Sequence, residues 1–278
     1  LSENLPASAP AEPARPLCVD LDGTLIKSDS LFDAACVFVR RHPLLCWKLP
    51  VWLMHGRAHL KAEVARHAPL DAARLPYHAE LLHYLQNERR AGRKIYLATG
   101  ADGSLAERVA AHLGIFDGVL ASDGSTNLTS GKKLTRLKER FGSFDYIGNS
   151  RADLPLLAAA REAMTANPTL GLRAGLSARR IVVARTFMDR PPLPRTFFKA
   201  IRIHQWAKNL LVVAPLVFSH KLHPAGMAAA AAAFFCFSLM ASANYLMNDL
   251  LDIESDRRHS AKRFRPFAAG DLSVAGGA

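Results

Sequence analysis

From Ala225 to Met247 the chain runs for about 23 residues in which only Ser238, Ser242 and Asn244 are polar. At about 1.5 Å of rise per residue, a helix of that length reaches across the hydrocarbon core of a bilayer. A buried helix of a soluble protein is the other reading, but the flanks fit a membrane. The preceding segment, Trp206 to Phe218, is apolar and shorter, holds Lys208 and Pro215, and is expected to form a first span. Arg195, Lys199, Arg202 and Lys208 lie before that span or at its entry, and Arg257, Arg258, Lys262, Arg263 and Arg265 follow the second. Two spans return both basic clusters to one side, which the positive-inside rule makes cytosolic. The expectation is a multi-pass protein of an inner or plasma membrane, with the lipid bilayer as a partner and the N-terminal domain in the cytosol.

Directly after the apolar run come Asn248-Asp249-Leu250-Leu251-Asp252-Ile253-Glu254-Ser255-Asp256. On a helix Asn248, Asp252 and Asp256 stand at i, i+4 and i+8 and share one face. Like charges one turn apart repel by about 0.2–0.5 kcal/mol in water, and a divalent cation between them reverses that sign. Hard oxygen donors at this spacing suit Mg²⁺, which is held by one or two carboxylates and completed by phosphate oxygens. The position at the mouth of a membrane helix points to a phosphorylated substrate met at the bilayer surface.

The formal net charge is +12 over 278 residues. A basic balance favours anionic partners. Neither zinc-finger spacing nor a basic-aromatic nucleic-acid motif is present, so phosphates and membrane are preferred and no nucleic acid is expected. Cys18, Cys36, Cys46 and Cys236 are scattered without metal or redox spacing, which fits a reduced, cytosol-facing protein. Residues 1–16 are polar and proline-rich and are expected to be a disordered tail. The first residue is Leu1 rather than Met and the last are Gly276-Gly277-Ala278, so both ends are expected to be truncated.

From about Leu17 to Arg185, short apolar runs alternate with amphipathic segments, the pattern of a parallel, doubly wound α/β sheet. Strands are expected at Leu17–Leu21, Lys94–Ala98, Gly118–Ala121, Phe144–Ile147 and Arg180–Ala184, with helices at Gly103–Leu113, Lys133–Phe141 and Leu154–Ala160. An insertion at about 28–90 reads as a helical cap over the carboxyl ends of the strands. The soluble domain thus covers 17–187. A proline-rich linker occupies 188–194, and an all-α membrane segment occupies 195–278.

Asp20-Leu21-Asp22-Gly23-Thr24-Leu25 follows the first strand, where such folds place their sites. An aspartate there can attack phosphorus. A second, two residues on, can serve the leaving group as acid and then activate water. Thr99 ends the second strand, Lys132 and Lys133 can neutralise a phosphoryl group, and Tyr146 to Asp153 closes the fourth strand. Each element alone is commonplace; four in order at strand ends are specific. Together they resemble the haloacid dehalogenase superfamily of phosphatases, over nearly the whole soluble region. The resemblance implies a Rossmann-like fold, with Asp20 as nucleophile and Mg²⁺ ligand and Asp22 as general acid and base. It makes Thr99 and Lys133 phosphate ligands, with Lys132 as the alternative lysine. The metal set it implies is Asp20, Asn149 and Asp153. Asn149 departs from the pattern, because that position is normally a carboxylate; a neutral amide there weakens Mg²⁺ binding.

The tail resembles the UbiA family of intramembrane prenyltransferases. Asn248, Asp252 and Asp256 carry the resemblance, with Lys262 to Pro266, Gly270, Arg202 to Asn209 and Ala214 to Phe218. The branch most similar is the decaprenyl-phosphate phosphoribosyltransferases. The resemblance implies a polyprenyl phosphate or prenyl diphosphate as one substrate, and phosphoribosyl pyrophosphate or an aromatic acceptor as the other. Asn248, Asp252 and Asp256 would then hold Mg²⁺–diphosphate and Lys208 a phosphate. Lys262, Arg263 and Arg265 would meet a further phosphate or anionic lipid. The family carries more spans and a second aspartate-rich motif, so the transferase site is expected to be half built. A faded phosphatase fold acting as a membrane scaffold, and a phosphatase merely anchored by the tail, are the competing readings.

Overall fold

The computed structural model describes residues 15–123, 128–218 and 223–273. The expected tail, 1–16, lies outside the described residues except for Arg15 and Pro16. The chain folds into two compact units. The first takes residues up to Ile26, His55–Glu63 and Tyr77–Asp189; the second takes Lys27–Met54, Val64–Pro76 and the chain from Arg190 onward.

The first unit holds a six-stranded parallel sheet in the order β3-β2-β1-β4-β5-β6. Its strands are β1 (Leu17–Val19), β2 (Ile95–Asp102), β3 (Gly118–Ser122), β4 (Asp145–Gly148), β5 (Ala163–Ala166) and β6 (Val183–Phe187). Leu17 aligns with Ile95 on one side and Asp145 on the other, so β1 is flanked by β2 and β4 and its side chains are fully buried. Four of the five expected strands fall where the pattern put them, and the fifth begins three residues later as β6. β5 was not expected. Ala163-Met164-Thr165-Ala166 has only one of the β-branched or aromatic side chains that mark a strand, Thr165, and its place between β4 and β6 defines it.

In the second unit lie α1 (Ser30–Arg41) and α2 (Lys48–Met54), while α3 (Arg57–His67) runs across the division. The first unit adds α4 (Ala79–Arg90), α5 (Gly103–Leu113), α6 (Ser130–Phe141), α7 (Leu154–Ala159) and α8 (Leu170–Ala178). The Asp102 carboxylate caps α5 by accepting from the Ser104 N–H at 3.0 Å, and Gly114 ends it in the left-handed region. In α6 the buried positions are Lys133 and Leu137, one turn apart on the same face. The expected cap at 28–90 is therefore not one body. Lys27–Met54 and Val64–Pro76 pack with the C-terminal part of the chain, while α4 packs with the sheet.

The second unit continues with α9 (Leu193–Ala200), a 3-10 helix Ile203–Val213, α10 (Ala214–Phe218), α11 (Pro224–Leu251) and α12 (Ile253–Arg258). Among the described residues α11 is the one helix long and apolar enough to cross a membrane. Its apolar side chains, including Phe235, Phe237, Leu239 and Met240, are largely exposed. The expected first span, Trp206–Phe218, is not a continuous α-helix. Pro215 offers no N–H to the preceding turn, and the segment divides into the 3-10 stretch and α10. Ser238 and Ser242 of the long run have partners in the preceding segment. Trp206 Nε1 donates to Ser242 Oγ at 3.0 Å, Asn209 Nδ2 donates to Ser238 Oγ at 3.0 Å, and Ser242 Oγ donates to the Ile201 carbonyl at 2.8 Å.

Candidate active site

Asp20 leaves the end of β1 into a tight loop. The Asp20 N–H donates to the Ile147 carbonyl at 3.1 Å, tying the loop to β4. The Leu25 N–H returns to the Asp20 carbonyl at 3.2 Å and the Ile26 N–H to the Leu21 carbonyl at 3.0 Å. Gly23 turns the corner at φ +72°, and a Cβ there would lie 2.0 Å from Asn149 Nδ2. Both the backbone angle and the close approach of Asn149 require glycine.

The Lys133 ammonium donates to Asp20 Oδ1 at 2.9 Å and to the Tyr146 hydroxyl at 3.1 Å. Tyr146 in turn donates to Asp153 Oδ1 at 2.9 Å. Asp153 Oδ2 accepts from the N–H groups of Asn149 and Ser150 at 3.2 and 3.0 Å, and from Ser150 Oγ at 3.0 Å. A Cβ at Gly148 would stand 2.7 Å from Asp153 Cβ, so β4 ends in glycine where this carboxylate folds back. The result is a buried chain, Asp20–Lys133–Tyr146–Asp153. Lys132, the alternative lysine, is exposed.

Burial raises the Asp20 carboxyl to about 6, against the opposing pull of Lys133. Burial opposes the Lys133 charge too, but Asp20 and Asp153 outweigh it and hold the ammonium above its ordinary range. Burial, then the Asp153 charge, raises the Tyr146 phenol well above the ordinary value, so it remains a donor. For an acid raised on folding, the stabilising share is complete below the unfolded value near 3.8 and is lost as pH climbs through about 6. Asp20→Asn, which cannot ionise, is expected to flatten the pH dependence of unfolding free energy between pH 4 and 6 by up to about 3 kcal/mol. Urea unfolding at a series of pH values checks this; parallel wild-type and variant curves would contradict it.

Thr99 is fully buried in β2, and its Oγ1 accepts from the Ala101 N–H at 3.0 Å. Two residues outside the expected set hold the next residue of the strand: Lys61 of α3 donates to the Gly100 carbonyl at 2.6 Å and Ser122 Oγ donates to it at 2.9 Å. Asp22 is half-buried within the loop. A cavity of about 720 Å³ lies beside Asp102–Ser104, Ser122 and Arg136, but Asp20, Asp22, Thr99 and Lys133 do not line it.

Among the described residues no three His, Cys, Asp or Glu side chains converge to hold a metal ion. Asp153 Oδ1 and Oδ2 are both already accepting hydrogen bonds. Of the expected set, Asp20 and Asn149 place a carboxylate and an amide oxygen beside the loop, and Asp20 Oδ1 also accepts from Lys133. That set fits a hard cation such as Mg²⁺ in reduced form, one carboxylate and one neutral oxygen, with phosphate and water completing it.

The expected tail set, Asn248, Asp252 and Asp256, has no partner in common. Asn248 is exposed. Asp252, where α11 ends, stands 3.4 Å from Arg40. Asp256 is buried and accepts from Arg265 at 2.9 Å. Asp249, one residue beside the expected Asn248, is also buried and takes Arg202 at 2.7 Å and Arg265 at 3.1 Å. The i, i+4, i+8 count could not show this, because the partners come from other elements. Lys208 is exposed on the 3-10 segment.

A doubly wound parallel sheet with an Asp-Leu-Asp loop, a buried lysine and a strand-end aspartate defines a class, the Rossmann-like hydrolases whose site lies at the strand carboxyl ends. The model of the haloacid dehalogenase-like hydrolase family matches residues 17–158, and the chain belongs to that family. It is 39% identical over 270 residues to an uncharacterised protein, y4nM, of Sinorhizobium fredii, covering 94% of this chain and 51% of that one. It is 49% identical over 82 residues to the decaprenyl-phosphate phosphoribosyltransferase of Mycobacterium tuberculosis, covering 26% of each. The chain thus spans about half or less of the curated relatives it matches. A solved phospho-aspartyl intermediate analogue of phosphoserine phosphatase superposes with a TM-score of 0.43 at 12% identity, over 68% of this chain and 99% of that one.

Proposed function

We propose that the first unit is a Mg²⁺-dependent phosphomonoesterase, and that the tail is the N-terminal part of a UbiA-type transferase acting on a polyprenyl phosphate or prenyl diphosphate. The observation that supports the first part is the buried Asp20–Lys133–Tyr146–Asp153 chain. Its lysine holds a positive charge against the one carboxylate placed to attack.

In this reading an Asp20 carboxylate oxygen bonds to phosphorus as the ester P–O bond breaks, and Asp22 gives its proton to the departing oxygen. Asp22 then takes a proton from water as that water attacks phosphorus, releasing inorganic phosphate and restoring Asp20. Lys133 and Thr99 bind the phosphoryl oxygens, and Tyr146 and Asp153 position Lys133. Mg²⁺, held by Asp20 and Asn149, would supply charge neutralisation for the phosphoryl group. Release of inorganic phosphate from sugar phosphates by wild type and by Asp20→Asn is the deciding experiment, and equal rates would remove the catalytic reading.

Asn149 is the observation that favours a second reading, a faded domain serving as a membrane scaffold. Asn149→Asp restores a second carboxylate, and is expected to lower the Mg²⁺ concentration for half-maximal phosphate release by about tenfold. A magnesium titration checks it. No activity in either protein would favour the scaffold.

For the tail, the supporting observations are the local identity to the phosphoribosyltransferases and the helix α11 leading into the aspartate-rich segment. A simple membrane-anchored phosphatase is the alternative. Transfer of phosphoribose to a polyprenyl phosphate by the longer protein that carries this segment separates the two.

A further inference from the structure

Within the second unit, the segment Pro43–Met54 turns an apolar face outward. It reads Pro43-Leu44-Leu45-Cys46-Trp47-Lys48-Leu49-Pro50-Val51-Trp52-Leu53-Met54, with Lys48 as its one charged side chain. Leu44, Trp47, Val51 and Met54 stand at i, i+3, i+7 and i+10, the spacing of one helix face. They are 88%, 62%, 38% and 86% exposed. In a helix of a soluble domain that stripe faces the core; a contiguous apolar stripe on the outside marks a contact surface. Another side of the segment holds it down. Trp52 is buried, its ring centroid 5.3 Å from Phe38 of α1 and 5.2 Å from His67, and the Leu45 N–H donates to the His42 carbonyl at 2.9 Å.

Helix α1 sets where this segment begins. Near the start of α1, Arg257 Nη2 donates to Asp33 Oδ2 at 2.7 Å. In its last turn Arg41 Nη2 donates to both Glu254 oxygens at 2.7 and 2.6 Å, and Arg40 lies 3.4 Å from Asp252. Both ends of α1 are thus tied to Asp252–Arg257, the stretch directly after α11, and Pro43 follows Arg41 by two residues. With α11 across a bilayer, Pro43–Met54 starts at the level where the apolar length of α11 ends. That level is the lipid headgroup boundary, where an indole is favoured and a lysine lays its stem on apolar surface with its ammonium in water. Trp47 and Lys48 are adjacent there, with Lys48 Nζ 6.0 Å from the Trp47 ring centroid. We propose that Pro43–Met54 is an interfacial membrane segment, with the Leu44, Trp47, Val51 and Met54 face among the outermost acyl carbons and Lys48 at the anionic headgroups. The insertion in the phosphatase sequence then binds lipid directly, beside the contact made by α11. This rests on the reading of α11 as a membrane helix.

The test is tryptophan fluorescence of the full chain in vesicles of phosphatidylcholine and phosphatidylglycerol whose acyl chains carry bromine near the carbonyl. The Trp47 signal is the parent minus Trp47→Phe, and the Trp206 signal is the parent minus Trp206→Phe. Trp206 bonds Ser242 and so reports on α11. Both signals are expected to fall by at least about half relative to vesicles without bromine, and acrylamide added to the water should quench Trp47 little. Leu44→Gln/Met54→Gln changes two exposed side chains, so its thermal unfolding should match the parent. It is expected to recover at least about half of the lost Trp47 signal and to leave Trp206 unchanged. Parent-like bromine quenching of Trp47 in that variant would overturn the proposal, because the face would not carry the contact. With Trp206 quenched by bromine, a Trp47 quenched only by acrylamide would mean that the segment faces water. A Trp47 quenched by neither would mean that a second copy or another protein covers it. Both results overturn the proposal and leave the α11 reading standing. A Trp206 that bromine does not quench would overturn the α11 reading and the placement of the segment with it.

Discussion

Asp20→Asn and Lys133→Met are each expected to slow phosphate release by at least ~10³-fold, yet to differ sharply in stability. Under the proposed mechanism asparagine keeps the shape of the nucleophile but cannot form the phosphoenzyme. Methionine keeps the apolar stem and removes the charge that would hold the phosphoryl group. In Asp20→Asn the buried ammonium retains the Tyr146 hydroxyl at 3.1 Å and the Asp153 carboxylate at 3.8 Å. In Lys133→Met, by contrast, Asp20 and Asp153 lose the ammonium between them, and both are almost fully buried. Removing one partner of such a group costs about 3–5 kcal/mol. Protonation of Asp20 caps the loss, so the deficit of Lys133→Met should shrink as pH falls from 7 toward 5. Denaturant unfolding at the two pH values reads this out. A Lys133→Met protein as stable as wild type at pH 7 would mean that the lysine is solvated and that the buried chain does not hold in solution.

Arg257→Met is expected to destabilise the second unit by about 3–5 kcal/mol. Asp33 has no exposed surface, and Arg257 Nη2 is 2.7 Å from its carboxylate. The same guanidinium satisfies Ser28 Oγ and the Ala268 carbonyl, so its loss leaves several buried polar groups to seek partners. Asp33→Asn added to Arg257→Met should recover part of the loss, because the stranded charge is gone; the double-mutant cycle isolates that term. The measurement is limited proteolysis and thermal unfolding in detergent, with cleavage within α1 as the local readout. A loss under about 1 kcal/mol would class the pair with ordinary surface ion pairs.

The residues at strand ends could be found from sequence because they depend on local order: a short apolar run, then a turn residue, then a polar side chain. Asp20, Asp22 and Asp153 follow that rule; Thr99, expected to end its strand, lies within β2, which runs on to Asp102. Lys133 was favoured over Lys132 only by the family resemblance, and on α6 it is Lys133, one turn before Leu137, that is buried. Tyr146 was hidden, because a tyrosine in a strand is ordinary core, and only the position of Lys133 gives its hydroxyl a role. Lys61 and Ser122 hold the Gly100 carbonyl from distant parts of the chain, and no spacing signals them. β5 was missed because Ala163, Met164, Thr165 and Ala166 are all buried and show no alternation of their own.

The chain alone determined the order of the phosphatase residues, the apolar length of α11 and the sign of the charge around it, since these depend on neighbours within a turn or a strand. Tertiary structure decided which charge meets which. Asp249 and Asp256 are paired with Arg265, Asp252 stands by Arg40, and Asp33 is paired with Arg257. Coulomb energy falls with distance through space and rises with burial, and neither quantity is a function of separation along the chain.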